Sequence, residues 1–160
     1  MLRITRKLEF DAGHRIPNHE SKCRNVHGHR YVLECTVTGE LVTQPGHSSE
    51  GMIVDFGALK EIMNQFVVSD WDHAMLVWQN DTPLIAALYA LETDSSHTLA
   101  KDEKGWGKHK TVVLPCIPTV EGLAEYAFGL LSAPLLSNGL KLTHLRLYET
   151  PNCWADCYAS

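Results

Sequence analysis

His27-Gly28-His29 runs directly into Arg30-Tyr31-Val32-Leu33-Glu34-Cys35-Thr36-Val37-Thr38, a β-branched and aromatic stretch that reads as a strand. Side chains alternate faces along a strand, so histidines two apart point the same way. The fold must therefore contain a sheet with two imidazoles on one face. Gly28 leaves the opposite face bare and lets other atoms come close. Cys23, just upstream, adds a thiol to the same stretch. A lone His pair on a strand is more often structural or exposed than metal-binding, so a metal site needs further ligands from elsewhere.

The first strand offers one. Leu2, Ile4, Leu8 and Phe10 share one parity, Arg3, Lys7 and Glu9 the other, with Arg6 out of pattern. If the extended course persists through Asp11, Ala12 and Gly13, His14 falls on the face of Phe10. Residues 15–22 include Pro17, Asn18, Glu20 and Ser21 and read as a loop. A hairpin-like return then places His14 beside His27 and His29.

The remaining elements follow from the same patterns. Residues 43–51 are polar, with Gln44-Pro45-Gly46 as a turn. Asp55 suits a helix N-cap, and Phe56, Leu59, Ile62, Met63 and Phe66 recur at helical spacing over 56–67. Residues 69–73 break that helix. Residues 84–91 suit a short helix, and 93–110 read as a polar surface excursion carrying His97 and His109. Residues 111–114 suit a strand. Thr119 is a plausible N-cap for a helix with Leu123, Ala124, Ala127, Phe128, Leu130 and Leu131 on one face. Residues 143–149 read as a strand in which Glu149 continues the parity of Leu145 and Leu147; if buried, that carboxylate needs a cationic or donor-rich partner. Residues 152–158 suit a last strand.

At 160 residues the chain is one domain by size, 1–160. Its formal charge of -5, from 14 Lys and Arg against 19 Asp and Glu, argues against a general nucleic-acid binder. Five cysteines with no CxxC pair suggest free thiols in a reducing compartment. Neither a signal peptide nor a membrane span is recognisable, so the expected location is cytoplasmic. Nine histidines justify a search for metal ligands.

His14 after the first strand, CRNVHGH at 23–29, TGE at 38–40, VDFGALK at 54–60, WDH at 71–73, PTVEGLA at 118–124 and YET at 148–150 together resemble the 6-pyruvoyltetrahydropterin and 6-carboxytetrahydropterin synthase family. The pieces occur in the family's order over almost the whole chain. The departure is a longer stretch at 81–117. The resemblance implies an α+β tunnelling fold: an antiparallel sheet with two helices on one face, sheets joined into a trimeric barrel, and two trimers stacked into a homo-oligomeric hexamer with sites between subunits.

The resemblance also implies roles. His14, His27 and His29 match three zinc ligands, and three imidazoles with an open position are the pattern of a catalytic zinc; a hydrogen-bonded His cluster is the alternative. Cys23 matches a base that removes a substrate proton, with ligation or plain packing as other uses of a thiol. Asp72 and His73 match the pair that completes a Cys–His–Asp relay, provided a turn lets neighbours in sequence meet. Glu149 matches the carboxylate that anchors a pterin ring by accepting two parallel N–H groups. Thr119 and Glu121 lie in a motif that lines the same pocket, though Glu121 also suits a helix N-terminus. Lys22, Arg24 and Arg30 are equally placed to meet a triphosphate. The implied activity is a zinc-dependent lyase acting on 7,8-dihydroneopterin triphosphate. The tail ETPNCWADC favours 6-carboxy-5,6,7,8-tetrahydropterin as product, with acetaldehyde and triphosphate released, on the route to queuosine. A 6-pyruvoyltetrahydropterin synthase and a non-catalytic pterin-binding module are the alternatives. No nucleic acid or membrane partner is expected.

Overall fold

The computed structural model describes residues 2–93 and 109–159. Strand β1 (Ile4–His14) forms a long hairpin with β2 (His27–Thr38), its loop carrying a single 3-10 turn at Lys22–Arg24. Helix α1 (Phe56–Met63) follows, then β3 (Ala74–Trp78), α2 (Thr82–Thr93), β4 (Thr111–Leu114), α3 (Val120–Ser137), β5 (Lys141–Thr150) and β6 (Cys153–Tyr158). The six strands make one sheet in the order β4-β3-β1-β2-β5-β6. The four long strands β1, β2, β5 and β6 are antiparallel, as expected. The two short ones depart from that expectation: β3 pairs with β1, and β4 with β3, in parallel. β4 is reached from β3 through a connection long enough for a parallel crossover, with α2 in it, whereas β3 follows β2, itself antiparallel to β1, and so returns parallel to β1.

One face of the sheet is apolar and is covered by α1 and α3. Phe10 and Ala12 of β1, Tyr31, Leu33, Cys35 and Val37 of β2, and Leu145 and Leu147 of β5 are buried there. They meet Leu59 and Met63 of α1 and Leu123, Ala127, Leu131 and Leu135 of α3. The alternation that predicts β1 and β2 is thus the alternation that builds the core. Arg6, out of pattern in sequence, does sit on the inner parity of β1 and is half-buried.

The first helix is longer than its spacing suggests. After Met63 the chain passes through a π-helical stretch, Asn64–Val68, and a last α-helical turn, Ser69–Trp71. Leu59, Met63, Val67 and Trp71 are buried, each four residues after the last, whereas Phe56 and Phe66 are exposed. At 3.6 residues per turn a strict four-residue spacing drifts around the helix. The wider π turn absorbs the drift and keeps the series on the sheet. Trp71 therefore ends up in the core rather than in a helix-breaking loop.

Asp55 caps α1, its Oδ1 accepting from Gly57 N at 2.6 Å, and Thr119 caps α3, its hydroxyl accepting from Gly122 N at 3.2 Å. Helix α2 starts at buried Asp81, which receives the Arg15 Nε–H at 2.6 Å and a second Arg15 N–H, and accepts from Leu84 N at 3.4 Å. The long segment is thereby tied to the residue after His14. His109 is exposed; His97 lies outside the described residues. Among the described residues no helix is long and apolar enough to cross a membrane. The five cysteines are free thiols.

Candidate functional site

The β1–β2 register sets His14 opposite His27, with His29 opposite Ala12. Parity then turns all three imidazoles to one face. Their ring centroids lie 4.5 Å (His14–His27), 5.1 Å (His14–His29) and 5.0 Å (His27–His29) apart. One ring nitrogen from each can be chosen so that all three lie within 4.8 Å of one another. The hairpin closes tightly here: a Cβ on Gly28 would stand 2.9 Å from the Ala12 carbonyl oxygen, so glycine is required for this approach.

Two backbone carbonyls orient the rings. His14 Nδ1 donates to Pro118 O and His27 Nδ1 to Asn25 O, each at 2.7 Å. Both tautomers then carry their lone pair on Nε2, toward the cluster, the arrangement in which an outer hydrogen bond prepares a histidine for a metal. His14 Nε2 and His29 Nε2 are buried without a hydrogen-bond partner. Burial holds both side chains below the ordinary histidine range, outweighing the Pro118 carbonyl and Glu149 at His14, and Glu149 at His29. His14 and His29, lowered by burial and unpartnered at Nε2, together with His27, oriented by Asn25, are imidazole donors of the kind a transition metal takes. The three histidines fit a metal ion on these grounds. The orienting carbonyls of Pro118 and Asn25 have no signature in sequence, because any residue can supply a carbonyl.

Glu149 comes to the same place from β5, which lies beside β2. Its Oε1 stands 3.7 Å from His14 Nε2 and 4.0 Å from His29 Nε2, and the side chain is half-buried. The carboxylate on this parity therefore faces the histidine cluster, at distances beyond a hydrogen bond. Tyr31 lies below, its ring 6.0 Å from His14 and 5.8 Å from His29, and burial pushes its phenol well above the ordinary tyrosine value.

Cys23 sits in the 3-10 turn of the β1–β2 loop, half-buried, its carbonyl accepting from Ile16 N at 2.8 Å. Among the described residues its thiol has no hydrogen-bond partner. Asp72 and His73 lie where the first helix turns into β3. His73 adopts a positive φ of 57°, which folds the chain back so that His73 Nδ1 reaches Asp72 Oδ2 at 2.9 Å. The turn needed for neighbours to meet is thus present. Asp72 Oδ1 also accepts from Asp11 N at 3.0 Å, and His73 N donates to Asp11 O at 2.6 Å. Lys110 Nζ fastens the turn by donating to the Ser69 and Asp72 carbonyls at 2.6 and 2.7 Å. Partial burial pushes the Asp72 carboxyl up, but the Asp11 N–H, His73 and Lys110 outweigh it and hold it below the usual carboxylate value. The His73 side chain is 77% exposed, and among the described residues no hydrogen bond joins it to Cys23. The structure therefore brings together His14, His27, His29 and Glu149, and separately Asp72 with His73.

Thr119 adjoins Pro118, whose carbonyl orients His14, but its hydroxyl is engaged in the α3 cap. Glu121 is exposed in the first turn of α3. Of the three basic candidates, Arg30 is paired with Asp11 through bonds of 3.0 and 2.9 Å, whereas Lys22 and Arg24 are exposed on the turn that holds Cys23.

Comparison with known proteins is consistent with this geometry. A family model described as 6-pyruvoyl tetrahydropterin synthase matches residues 3–160. The chain is 34% identical over 157 residues to a protein of Rickettsia bellii named 6-carboxy-5,6,7,8-tetrahydropterin synthase, covering 98% of this chain and 99% of the relative. A Haemophilus influenzae protein of the same name is 28% identical, with 98% of each chain covered. In fold, the chain is similar to an uncharacterized protein from Wolinella succinogenes (TM-score 0.75, 22% identity, 99% of this chain and 98% of that one). It is also similar to the Caenorhabditis elegans 6-pyruvoyl tetrahydropterin synthase (TM-score 0.61, 23% identity, 99% and 96%).

Proposed function

The chain belongs to the 6-pyruvoyl tetrahydropterin synthase family, and from that premise we propose that it is a zinc-dependent lyase that takes 7,8-dihydroneopterin triphosphate and water to 6-carboxy-5,6,7,8-tetrahydropterin, acetaldehyde and triphosphate. The observation that carries this reading is the convergence of His14, His27 and His29 beside Glu149, in a chain alike over 98% of its length to a relative named for the carboxy product. The product places the reaction on the route to queuosine and other 7-deazaguanine nucleosides, in the cytoplasm.

The three imidazoles hold the zinc, which when bound supplies Lewis acidity to the hydroxylated side chain of the substrate. Glu149 accepts the two N–H groups on the edge of the pterin ring. Cys23, on the half-buried 3-10 turn of the loop that joins β1 to β2, removes a proton from the substrate side chain. Asp72 holds the Nδ1–H of His73, which leaves Nε2 free to pass a proton. Thr119 and Glu121 line the approach from α3. Lys22 and Arg24, exposed and without acidic partners among the described residues, take the triphosphate in preference to Arg30, which is committed to Asp11.

His73 is exposed and has no hydrogen bond to Cys23 among the described residues, so the relay is completed by a second copy of the chain. Open strand edges support such an assembly. On the side away from β2, β1 is paired only at Ala12–His14, and β6 has no strand beyond it among the described residues. Joining these edges around a three-fold axis gives a barrel of the four long strands from each copy, and two such trimers a hexamer.

The deciding experiment is product analysis by mass spectrometry after incubation with 7,8-dihydroneopterin triphosphate, with acetaldehyde assayed alongside. Acetaldehyde in proportion to substrate consumed is expected. The name shared by the family model and the Caenorhabditis elegans structure favours a second reading, 6-pyruvoyltetrahydropterin synthase. Accumulation of a pyruvoyl pterin without acetaldehyde would establish it instead.

A further inference from the structure

Five buried side-chain polar atoms among the described residues lack a protein partner, and three of them, His14 Nε2, His29 Nε2 and the Tyr31 hydroxyl, belong to side chains in mutual contact. A metal accounts for the two imidazole nitrogens but not for the phenol. Tyr31 is fully buried, with its ring stacked on Phe10 at 5.3 Å, so solvent does not serve the hydroxyl. A buried hydroxyl without an acceptor is disfavoured, and in native proteins such a group calls for an explanation. The β2–β5 register supplies one. The ladder between β2 and β5 ends with Val32 opposite Tyr148, so Tyr31 and Glu149 are the next residue on each strand beyond its last pair, and the Glu149 carboxylate is near enough to raise the Tyr31 phenol further. Glu149 rests instead against His14 Nε2 and His29 Nε2, the atoms that a metal takes.

We propose that Tyr31 is the positioning residue for Glu149: once the imidazole lone pairs are committed to a metal, the Tyr31 hydroxyl donates to the Glu149 carboxylate and holds it in the orientation that receives the ring N–H groups of a pterin. The inference rests on the pterin reading above. A phenol suits the task because it donates one hydrogen bond without adding charge, so the carboxylate keeps its strength as an acceptor. Hydrogen bonds to ionised acceptors are the stronger kind, and water does not compete for a sealed hydroxyl.

Tyr31→Phe removes one oxygen and keeps the ring against Phe10. The melting temperature of the metal-free variant should equal or exceed that of the parent, because the lost hydroxyl had no partner there. Calorimetric titration of the zinc-loaded proteins with 7,8-dihydroneopterin, which carries the heterocycle without the triphosphate, should show binding weakened about tenfold by Tyr31→Phe. In a Glu149→Gln background the same change should weaken binding less than twofold, because a residue acting through another loses its effect when that other is altered. Equal affinity in parent and Tyr31→Phe overturns the inference and leaves the pterin reading standing. So does a loss undiminished in the Gln background, or a lower melting temperature of the metal-free variant. A zinc-loaded parent that binds no dihydroneopterin overturns the pterin reading and the inference together.

Discussion

At the scale of single residues, the site divides into groups whose neighbours already suit them to a task and groups that wait for a partner. His14 and His27 belong to the first kind, each oriented by a backbone carbonyl. Cys23 belongs to the second, which makes it the residue whose role is most open to test. A base is needed only for proton transfer, so Cys23→Ala should keep zinc and bind dihydroneopterin nearly as the parent does, while turnover falls ~10²–10⁴-fold. Metal content, calorimetric binding and kcat on the one variant check all three. Loss of zinc from Cys23→Ala would make the thiol a ligand and call His14 into question. Its parity with Phe10 made His14 legible as a neighbour of the other two histidines. The aim of its Nε2 was not, because Pro118, whose carbonyl sets that aim, is 104 residues away in the chain.

At the scale of elements, the turn from the first helix into β3 depends on one backbone angle. His73 sits at φ 57°, in the left-handed region that costs a side-chain-bearing residue roughly 1–2 kcal/mol. Glycine does not carry that cost. His73→Ala and His73→Gly both delete the imidazole, yet the Gly variant should be more stable than the Ala variant by about 1 kcal/mol in chemical denaturation. Equal stability would mean that the turn relaxes on substitution. On β5 and β6, Asp156 accepts from Arg146 Nε at 2.6 Å and Nη2 at 2.9 Å and pairs with His144 at 2.6 Å. Arg146 foremost, then His144, pull its carboxyl down to about 2 against the opposing effect of burial. A carboxylate whose folded value is depressed stabilises the fold fully above its unfolded value, ~3.9, and loses that contribution as pH falls toward the folded value. The parent should therefore lose stability between roughly pH 4 and 2 more steeply than Asp156→Asn, measured by denaturation across that range. Parallel curves would show that Asp156 contributes nothing to the acid limb.

At the scale of the whole molecule, the open edges of β1 and β6 are the feature that a single chain leaves unfinished. Unpaired edges are ordinarily blunted or covered. Here Trp154 and Tyr158 of β6 are exposed as well. In the proposed assembly, closing the sheet on copies of itself would satisfy both edges, and the proposed relay would pair His73 with another copy's Cys23. Native mass spectrometry should accordingly give three or six copies of the 17.9 kDa chain. A monomer at assay concentrations would leave the relay incomplete and the shared site untenable.

Much of this arrangement is local in origin and was legible from residue order. Alternation marks a face wherever neighbours in sequence are neighbours on a strand, so Leu8, Phe10 and His14, like His27, His29 and Tyr31, could be sorted before any contact was known. The caps Asp55 and Thr119 rest on bonds spanning two or three residues, and were equally legible. Tertiary structure alone decided what depends on distant chain. The π turn that draws Trp71 into the core answers to the sheet beneath it, and propensity over 56–67 carries no trace of it. The parallel pairing of β3 with β1 and of β4 with β3 depends on where two long connections return to the sheet. Glu149 was recognisable as a carboxylate in need of a partner, but its place against His14 and near Tyr31 follows from β5 lying beside β2. Periodicity tells which face a side chain takes; strand order tells what it meets there, and that order is set by packing over the whole chain.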